Sequence, residues 1–438
     1  MHGKQRYVKL AQIGLATALA LALPSPGRAE VVSPSARTGF LAVAPDGTAY
    51  VANVLGQDLY IARRATTGWA LVRPGRLPAG KESSVVGLVV NRRGLATALV
   101  EEAGGAWLAL GSARSGGLKV IARPRKGASY GPAGLALDAA GRPAVAYALR
   151  LSSGKTYLRL ITTDARGRLR TRGVTKGGFP SSAFAPGAAP VLVGGRLHVV
   201  ETYTSAAIDW QPQKKGGWVG QYLFASRDGT PAGRVGAAAA GQNLWSAWTQ
   251  LYSETLSVLL TLSARTQETA VVLEHGIFVS LALAFGRPEV GAYDWVDIGD
   301  WRTYAGVVAD RSGPVTELDG RLEGYTIAPD GRRQLLLSSD RGLEWFEAPS
   351  ALSVRVSLAA DAAGGLSGRV DGARGGAVQI YRELPGTTRA LVGSASLEPD
   401  GSFAAGDTPP TSPTLYRAVY VDPATGIPYA SLLRTPVG

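Results

Sequence analysis

The sequence has no cysteine, one methionine and three histidines among 438 residues. Without cysteine there is no disulfide framework, no thiol nucleophile and no thiolate-held metal. A zinc site made of histidine needs two or more at short spacing, and beyond the N-terminal stretch only His198 and His275 remain. A Gly-x-Ser-x-Gly elbow, a phosphate loop and a His-Glu-x-x-His motif are all missing. Acidic residues are the scarcer charge, 33 against 46 Lys and Arg. The basic excess is scattered, mostly as arginine in turns, and its densest spot is Arg123-Pro-Arg125-Lys126. Nucleic-acid binding wants clustered cations, so no nucleic-acid partner is expected. Solvated surface, or attraction to acidic glycans or envelope polymers, fits the scatter. Helix-period patterns are nearly absent.

One apolar run stands out, Leu10 to Leu23, behind the basic Lys4, Arg6 and Lys9 and ahead of Gly27-Arg-Ala29. Fourteen residues are short of the roughly twenty that span a bilayer. With the small-x-small site they read as a secretory signal peptide, residues 1–29, and predict a secreted, extracellular or cell-surface protein without a membrane span. Residues 1–29 hold four basic and no acidic residues, so the remainder carries +9 rather than +13. A chain of this length without disulfides must rely on a large core.

What is abundant is a short repeated hairpin, clearest in Leu41-Ala-Val-Ala-Pro-Asp-Gly47-Thr-Ala-Tyr-Val-Ala52. Leu88–Gly94, Leu135–Gly141 and Tyr325–Gly331 repeat it, each an alternating apolar run closed by a turn glycine. Gly47, Gly94 and Gly141 are 47 apart, and Gly141 to Gly331 is 190, close to four more steps. Val191–Val200 and Leu281–Val290 supply a fourth and a sixth copy. The fifth is expected within Trp245–Leu262, with its turn near Ser253-Glu254. A period in the forties built from strands predicts an all-β fold, a seven-bladed β-propeller over residues 30–350. The seventh unit counts one strand short, and Val31–Ser35 is expected to complete it and close the ring, removing an exposed edge.

After about Ser350 the period stops. Six short alternating runs follow, at Ser353–Leu358, Leu366–Val370, Val378–Glu383, Leu391–Leu397, Leu415–Val421 and Tyr429–Leu433, and predict a small β-sandwich over 351–438. Gly401-Ser-Phe403 followed by Leu415-Tyr-Arg-Ala-Val-Tyr420 resembles bacterial immunoglobulin-like or fibronectin-like modules. That resemblance implies an immunoglobulin-like β-sandwich in which Tyr416 bonds back to the backbone. It also leaves room for a protein partner docked through the C-terminal domain.

Ser338-Ser-Asp340-Arg-Gly342-Leu-Glu-Trp345 resembles the Asp box of sialidase-like propellers, Ser-x-Asp-x-Gly-x-Thr-Trp, with Glu344 in place of Thr. In that family the box is a structural turn between the third and fourth strands of a blade; strand counting here puts it between the second and third. Thr66–Gly68, Thr163–Gly167, Ser226–Gly229 and Asp310–Gly313 are degenerate turns of the same kind. The resemblance implies that a hydrolase would need an arginine cluster and a Tyr–Glu pair, but the family's Arg-Ile-Pro motif is missing.

Six of the nine tryptophans fall between Trp210 and Trp301. Two stretches carry several of them: Thr202–Gly217, with Tyr203, Asp209, Trp210, Lys214 and Lys215, and Tyr293–Arg302, with Tyr293, Asp294, Trp295 and Trp301. Both are expected to follow the second strand of their blades and emerge on one face. Such aromatics either fill gaps between blades or, flanked by carboxylates, stack on sugar rings. Asp294, Asp297 and Asp300, three apart, are either solvated loop carboxylates or a weak calcium site; no other cofactor is expected. The function expected is binding without catalysis, to a glycan or cell-surface polymer, through Tyr203, Asp209, Trp210, Tyr293, Asp294, Trp295 and Trp301. The alternative is a sialidase-like glycoside hydrolase or lyase.

Overall fold

A computed structural model describes residues 29–435 except 80–81, 115, 177–178, 181–186, 204–205, 226–228, 253–254, 263–268, 299–300, 362–363, 385–388 and 408–413. The signal-peptide segment therefore lies outside the described residues, as do Ser253-Glu254 and Asp300. Every regular element described is a strand, and no described helix is long and apolar enough to cross a membrane.

Seven sheets of antiparallel strands follow one another along the chain. Sheet one is Phe40–Val43, Ala49–Leu55, Asp58–Ala65 and Gly68–Arg76. Sheet two is Ser83–Val90, Ala96–Glu102, Leu108–Ser112 and Leu118–Ala122. Sheet three is built on Gly134–Leu137, Pro143–Arg150, Lys155–Thr163 and Leu169–Gly173. Sheet four is Ala188–Val193, Arg196–Tyr203, Ala206–Pro212 and Trp218–Ala225. Sheet five is Thr230–Ala240, Asn243–Tyr252, Thr255–Leu262 and Thr269–Leu273. Sheet six begins with Ile277–Ala284, Arg287–Ile298, Trp301–Asp310 and Gly313–Asp319. Sheet seven is Arg321–Ile327, Arg333–Ser339 and Gly342–Ala348, and its fourth strand is Glu30–Ser33 from the front of the described chain. The first strand of each sheet contacts that of the next, and sheet seven returns to sheet one. The result is a propeller ring, closed by strand exchange between its two ends.

Local chemistry explains the regularity. In sheet one Ala44 N–H bonds Thr48 O at 2.9 Å, and Gly47 turns the chain at φ +86°, a conformation that costs glycine little. Asp46 Oδ1 accepts Thr48 N–H at 2.9 Å; Asp138, Asp164 and Asp330 close their turns in the same way, as short polar side chains do in turns. These bonds hold the carboxyls of Asp46 and Asp330 below the usual range. Between sheets, alternate residues interlock in apolar seams: sheets one and two share Leu59, Ile61, Leu88 and Trp107. Each fully buried Leu or Ile contributes about 2 kcal/mol.

The fifth repeat does not begin where the sequence suggested. Its first strand is Thr230–Ala240 and its turn is Gly241-Gln242, with Ala240 paired to Asn243; Trp245 belongs to the second strand. The signal was hidden because Ala237 to Ala240 shows no polar–apolar alternation and the strand is bulged between Ala232 and Val235, with Gly233 at φ +76°. The Asp-box-like stretch is a hairpin between the second and third strands of sheet seven, with Ser339 paired to Gly342. The turns at Thr66–Gly68, Thr163–Gly167 and Asp310–Gly313 do join third and fourth strands. Gly229, by contrast, leads from sheet four into sheet five.

Beyond sheet seven come one three-stranded sheet, Arg355–Ala360 with Gly365–Asp371 and Ser402–Gly406, and four strands, Arg389–Ser396, Ala377–Glu383, Thr414–Val421 and Pro428–Thr435, that continue sheet six into a single eight-stranded sheet. They share a core of Leu366, Val370, Ile380, Phe403, Tyr416 and Tyr420. Tyr416 donates to Asp407 Oδ2 at 2.7 Å; the tyrosine that bonds back to the backbone is Tyr420, to Gly375 O at 2.9 Å. The edge strand Pro428–Thr435 extends sheet six through Leu318 and Tyr429. That edge is therefore occupied by the chain's own propeller.

Candidate functional site

Up-and-down strands give the ring two faces. The turn face carries the Gly47-type turns and the links between third and fourth strands. The connection face carries the hairpins between second and third strands and the passages from sheet to sheet.

The two tryptophan-rich stretches are strands, and the structure separates them. Trp210 sits on the third strand of sheet four, opposite Val199 and toward the turn face. It packs with Val199, Leu158 and Leu160 in the seam between sheets three and four. Its Nε1–H donates to Glu201 Oε2 at 2.9 Å. Glu201 is fully buried, its Oε1 has no partner among the described residues, and burial pushes its carboxyl up to about 7. Asp209 is also buried; it accepts His198 Nδ1–H at 3.0 Å and Gln211 Nε2–H at 2.9 Å. Trp210 and Asp209 are thus both bonded within the blade rather than carried on a loop. Tyr203 lies at the connection-face end of the second strand, where burial and then the Glu201 charge raise its hydroxyl pKa. Other tryptophans seal seams in the same way: Trp248 between sheets four and five, Trp245 between five and six, and Trp69 edge-on to Trp345 at 5.8 Å between one and seven.

Tyr293–Ile298 is the end of the second strand of sheet six, which with Trp301–Asp310 forms an unusually long hairpin rising on the connection face. Tyr293, Trp295 and Asp297 share one flank of it, because side chains alternate along a strand. Tyr304 pairs across from Trp295. Its ring meets Tyr293 edge-on at 5.8 Å. The Arg321 guanidinium lies over both tyrosines, 5.7 and 5.6 Å from their centroids, and Arg302 lies 5.4 Å from the centroid of Trp295. Arg302 is held at 2.7 Å by Asp297 Oδ1. Asp294 points to the opposite flank and accepts its neighbour's amide, Trp295 N–H, at 2.7 Å. Asp294 and Asp297, three apart on an extended strand, therefore cannot converge on one cation. Among the described residues no cluster of three His, Cys, Asp or Glu could hold a metal ion. Trp301 belongs to the third strand of the same hairpin.

This ladder stands beside the mouth of the axial channel. The channel, about 510 Å³, is walled by the first strands of all seven sheets, and Arg234 is the one charged residue among those lining it. Arg234 leaves the bulge in sheet five's first strand and reaches Val85 O of sheet two at 3.4 Å. Around it stand Glu101, Glu323 and Tyr293. Burial raises the Glu101 carboxyl, against the charge of Arg234 and the Ala133 amide. Burial likewise raises Glu323, against Arg321, which donates to it, the Gly39 amide and Arg234. The mouth therefore combines two guanidiniums, two carboxylates of raised pKa and a tyrosine. Arg234 was invisible in the sequence because no spacing marks a residue that crosses a ring. A second tyrosine–carboxylate pair, Tyr325 donating to Glu289 beside Arg333, is closed off: Tyr325 is 2% exposed between sheets six and seven.

No family model matches the sequence, and no curated protein matches it. Among solved structures the chain is similar to a Hadza microbial sialidase, at 12% identity over 67% of this chain and 74% of that one, with a TM-score of 0.40. It is similar to the SapL1 lectin in complex with alpha methyl fucoside, at 12% identity over 67% and 96%, TM-score 0.41. It is also similar to the β-propeller domain of a protease from Pyrococcus furiosus, at 8% identity over 71% and 93%, TM-score 0.40.

Proposed function

We propose that the protein binds glycans without catalysis, through the connection face at the axial mouth and the hairpin of sheet six. One observation carries this reading: Tyr293, Tyr304 and Trp295 form a continuous half-buried aromatic ladder beside the polar groups of the mouth. Sugars present an apolar C–H face that stacks on aromatic rings and hydroxyls that bridge carboxylates and guanidiniums. Glu323, Arg321 and Asp297 supply such groups on the same flank. On this reading residues 1–29 export the protein, and mature chains recovered outside the cell begin at Glu30; recovery with residues 1–29 intact would contradict export by cleavage.

Glycan-array binding of the full mature chain tests the site. Trp295→Ala and Tyr293→Ala are expected to weaken retention at least tenfold, while a control at exposed Leu71 leaves it unchanged. Equal binding by all of them removes the site. A sialidase-like hydrolase is the second reading, supported by the meeting of Tyr293, Glu323, Arg321 and Arg234, since such enzymes use a tyrosine nucleophile. Turnover of a fluorogenic sialoside that Glu323→Gln abolishes would replace binding with catalysis.

A further inference from the structure

The arginines that look scattered in the sequence are gathered by the fold. The repeat places them in turns, and the ring brings successive turns to one face. Several of them meet between sheets three and four, where the seam opens into a cleft of about 670 Å³. One wall comes from sheet three: Thr162, Arg170 and Arg172, on strands paired Thr162 to Arg170 and Leu160 to Arg172. The other comes from sheet four: Arg196, Lys214 and the half-buried ring of Trp218.

The cleft also holds two carboxylates, but both are engaged within their own turns. Asp138 bonds the Arg142 amide at 2.9 Å and pairs with the Arg142 guanidinium at 2.7 Å. Asp164 bonds the Arg166 and Arg168 amides at 2.9 Å and lies 3.4 Å from Arg170. Arg172, Arg196 and Lys214 have no acidic partner among the described residues. Three uncompensated cations around a concave, part-apolar space form an anion site. Its size is that of a small-ligand pocket. The tryptophan narrows the class further: a flat ring opposite guanidiniums suits a ligand with an apolar ring face and an anionic substituent.

We infer that this cleft on the turn face is a binding site for acidic saccharides, sugars bearing carboxylate, sulfate or phosphate. The anionic group meets Arg172 and Arg196, Lys214 adds a point charge, and the sugar ring stacks on Trp218. This site is on the opposite face from the aromatic ladder and does not depend on it.

The test uses the full mature chain, with oligogalacturonate, a heparin oligosaccharide and a neutral dextran oligosaccharide as probes in calorimetric titrations at two salt concentrations. The two acidic probes separate carboxylate from sulfate recognition. Binding of at least one acidic probe, weakening with salt, and no binding of dextran at this site are expected. Arg172→Ala with Arg196→Ala should reduce acidic-probe affinity at least tenfold, and Trp218→Phe should retain most of what Trp218→Ala loses. These side chains are exposed or half-buried, and unchanged thermal midpoints verify that each variant is folded. Leu71→Ala, at an exposed position outside both sites, should leave acidic-probe binding intact, whereas acidic-probe binding lost in Trp295→Ala but kept in the double arginine variant would belong to the ladder and overturn the inference. No binding of either acidic probe overturns the inference. So does indifference to both Trp218 variants, or single-stranded DNA bound as well as the sugars, which would show a general polyanion surface.

Discussion

Glu201 shows what a single side chain costs in a propeller seam. It is fully buried, it accepts Trp210 Nε1–H, and burial lifts its carboxyl from 4.5 to about 7. An acid whose folded pKa exceeds its unfolded value takes up a proton on folding between those values. Its contribution is therefore best below pH 4.5 and is lost as pH rises through 7, a change on the order of 3 kcal/mol. Thermal unfolding at pH 5.5 and 8.5 should show this loss in the wild type. Glu201→Gln, which keeps an acceptor for Trp210 and cannot ionise, should gain several degrees over wild type at pH 8.5 and little at pH 5.5. An equal gain at both pH values would show that Glu201 does not titrate in this range. Phe285 is another residue-scale exception. It is 87% exposed with φ +49°, in a two-residue turn with Gly286 that normally favours Asn-Gly.

At the scale of an element, the strand Glu30–Ser33 decides whether the ring is closed. It covers the edge of Gly342–Ala348 through pairs such as Val31 with Glu344, and Glu30 ties sheet seven to sheet one through Arg64 at 2.5 Å. An uncovered edge offers unpaired N–H and C=O groups to another chain. A chain starting at Pro34 should therefore melt several degrees lower and self-associate as concentration rises in size-exclusion chromatography. A monomer melting within a degree of the full mature chain would show that closure contributes little. The strand was legible from counting alone, since sheet seven had three strands and the front of the chain had one to spare. The fifth repeat was not, because a bulge and a run of alanines erased the alternation that marks a strand.

At the scale of the molecule, one buried arginine joins the C-terminal sheets to the propeller. Arg417 is 0% exposed. It donates to Glu383, to Asp319 at 3.0 Å and to Thr303 Oγ1 at 2.7 Å, the last two on sheet six. Asp319 also holds Arg389 at 2.9 Å. Removing one partner of such a buried pair leaves the other unpaired at a cost of about 3–5 kcal/mol. Arg417→Ala should split unfolding into two calorimetric transitions, the C-terminal part melting first, where the wild type shows one. A single transition merely shifted downward would mean that other contacts, such as Thr316 with Val354 O at 2.6 Å, carry the joint.

The repeat spacing, the turn glycines and the leftover strand are local signals with a fixed period, so the sequence by itself determined an all-β ring closed by its own N-terminal strand. Which side chains meet was another matter. Trp210 and Trp295 look alike in the chain, yet one fills a seam and the other climbs an outward hairpin, because strand direction sets the face and residue parity sets the flank. Arg234 and Glu323, 89 positions apart, become neighbours only when seven sheets share an axis. Arg172, Arg196 and Lys214 become one charged cleft only when two sheets close against each other. Contacts between distant segments carry no period, and tertiary packing alone decided them.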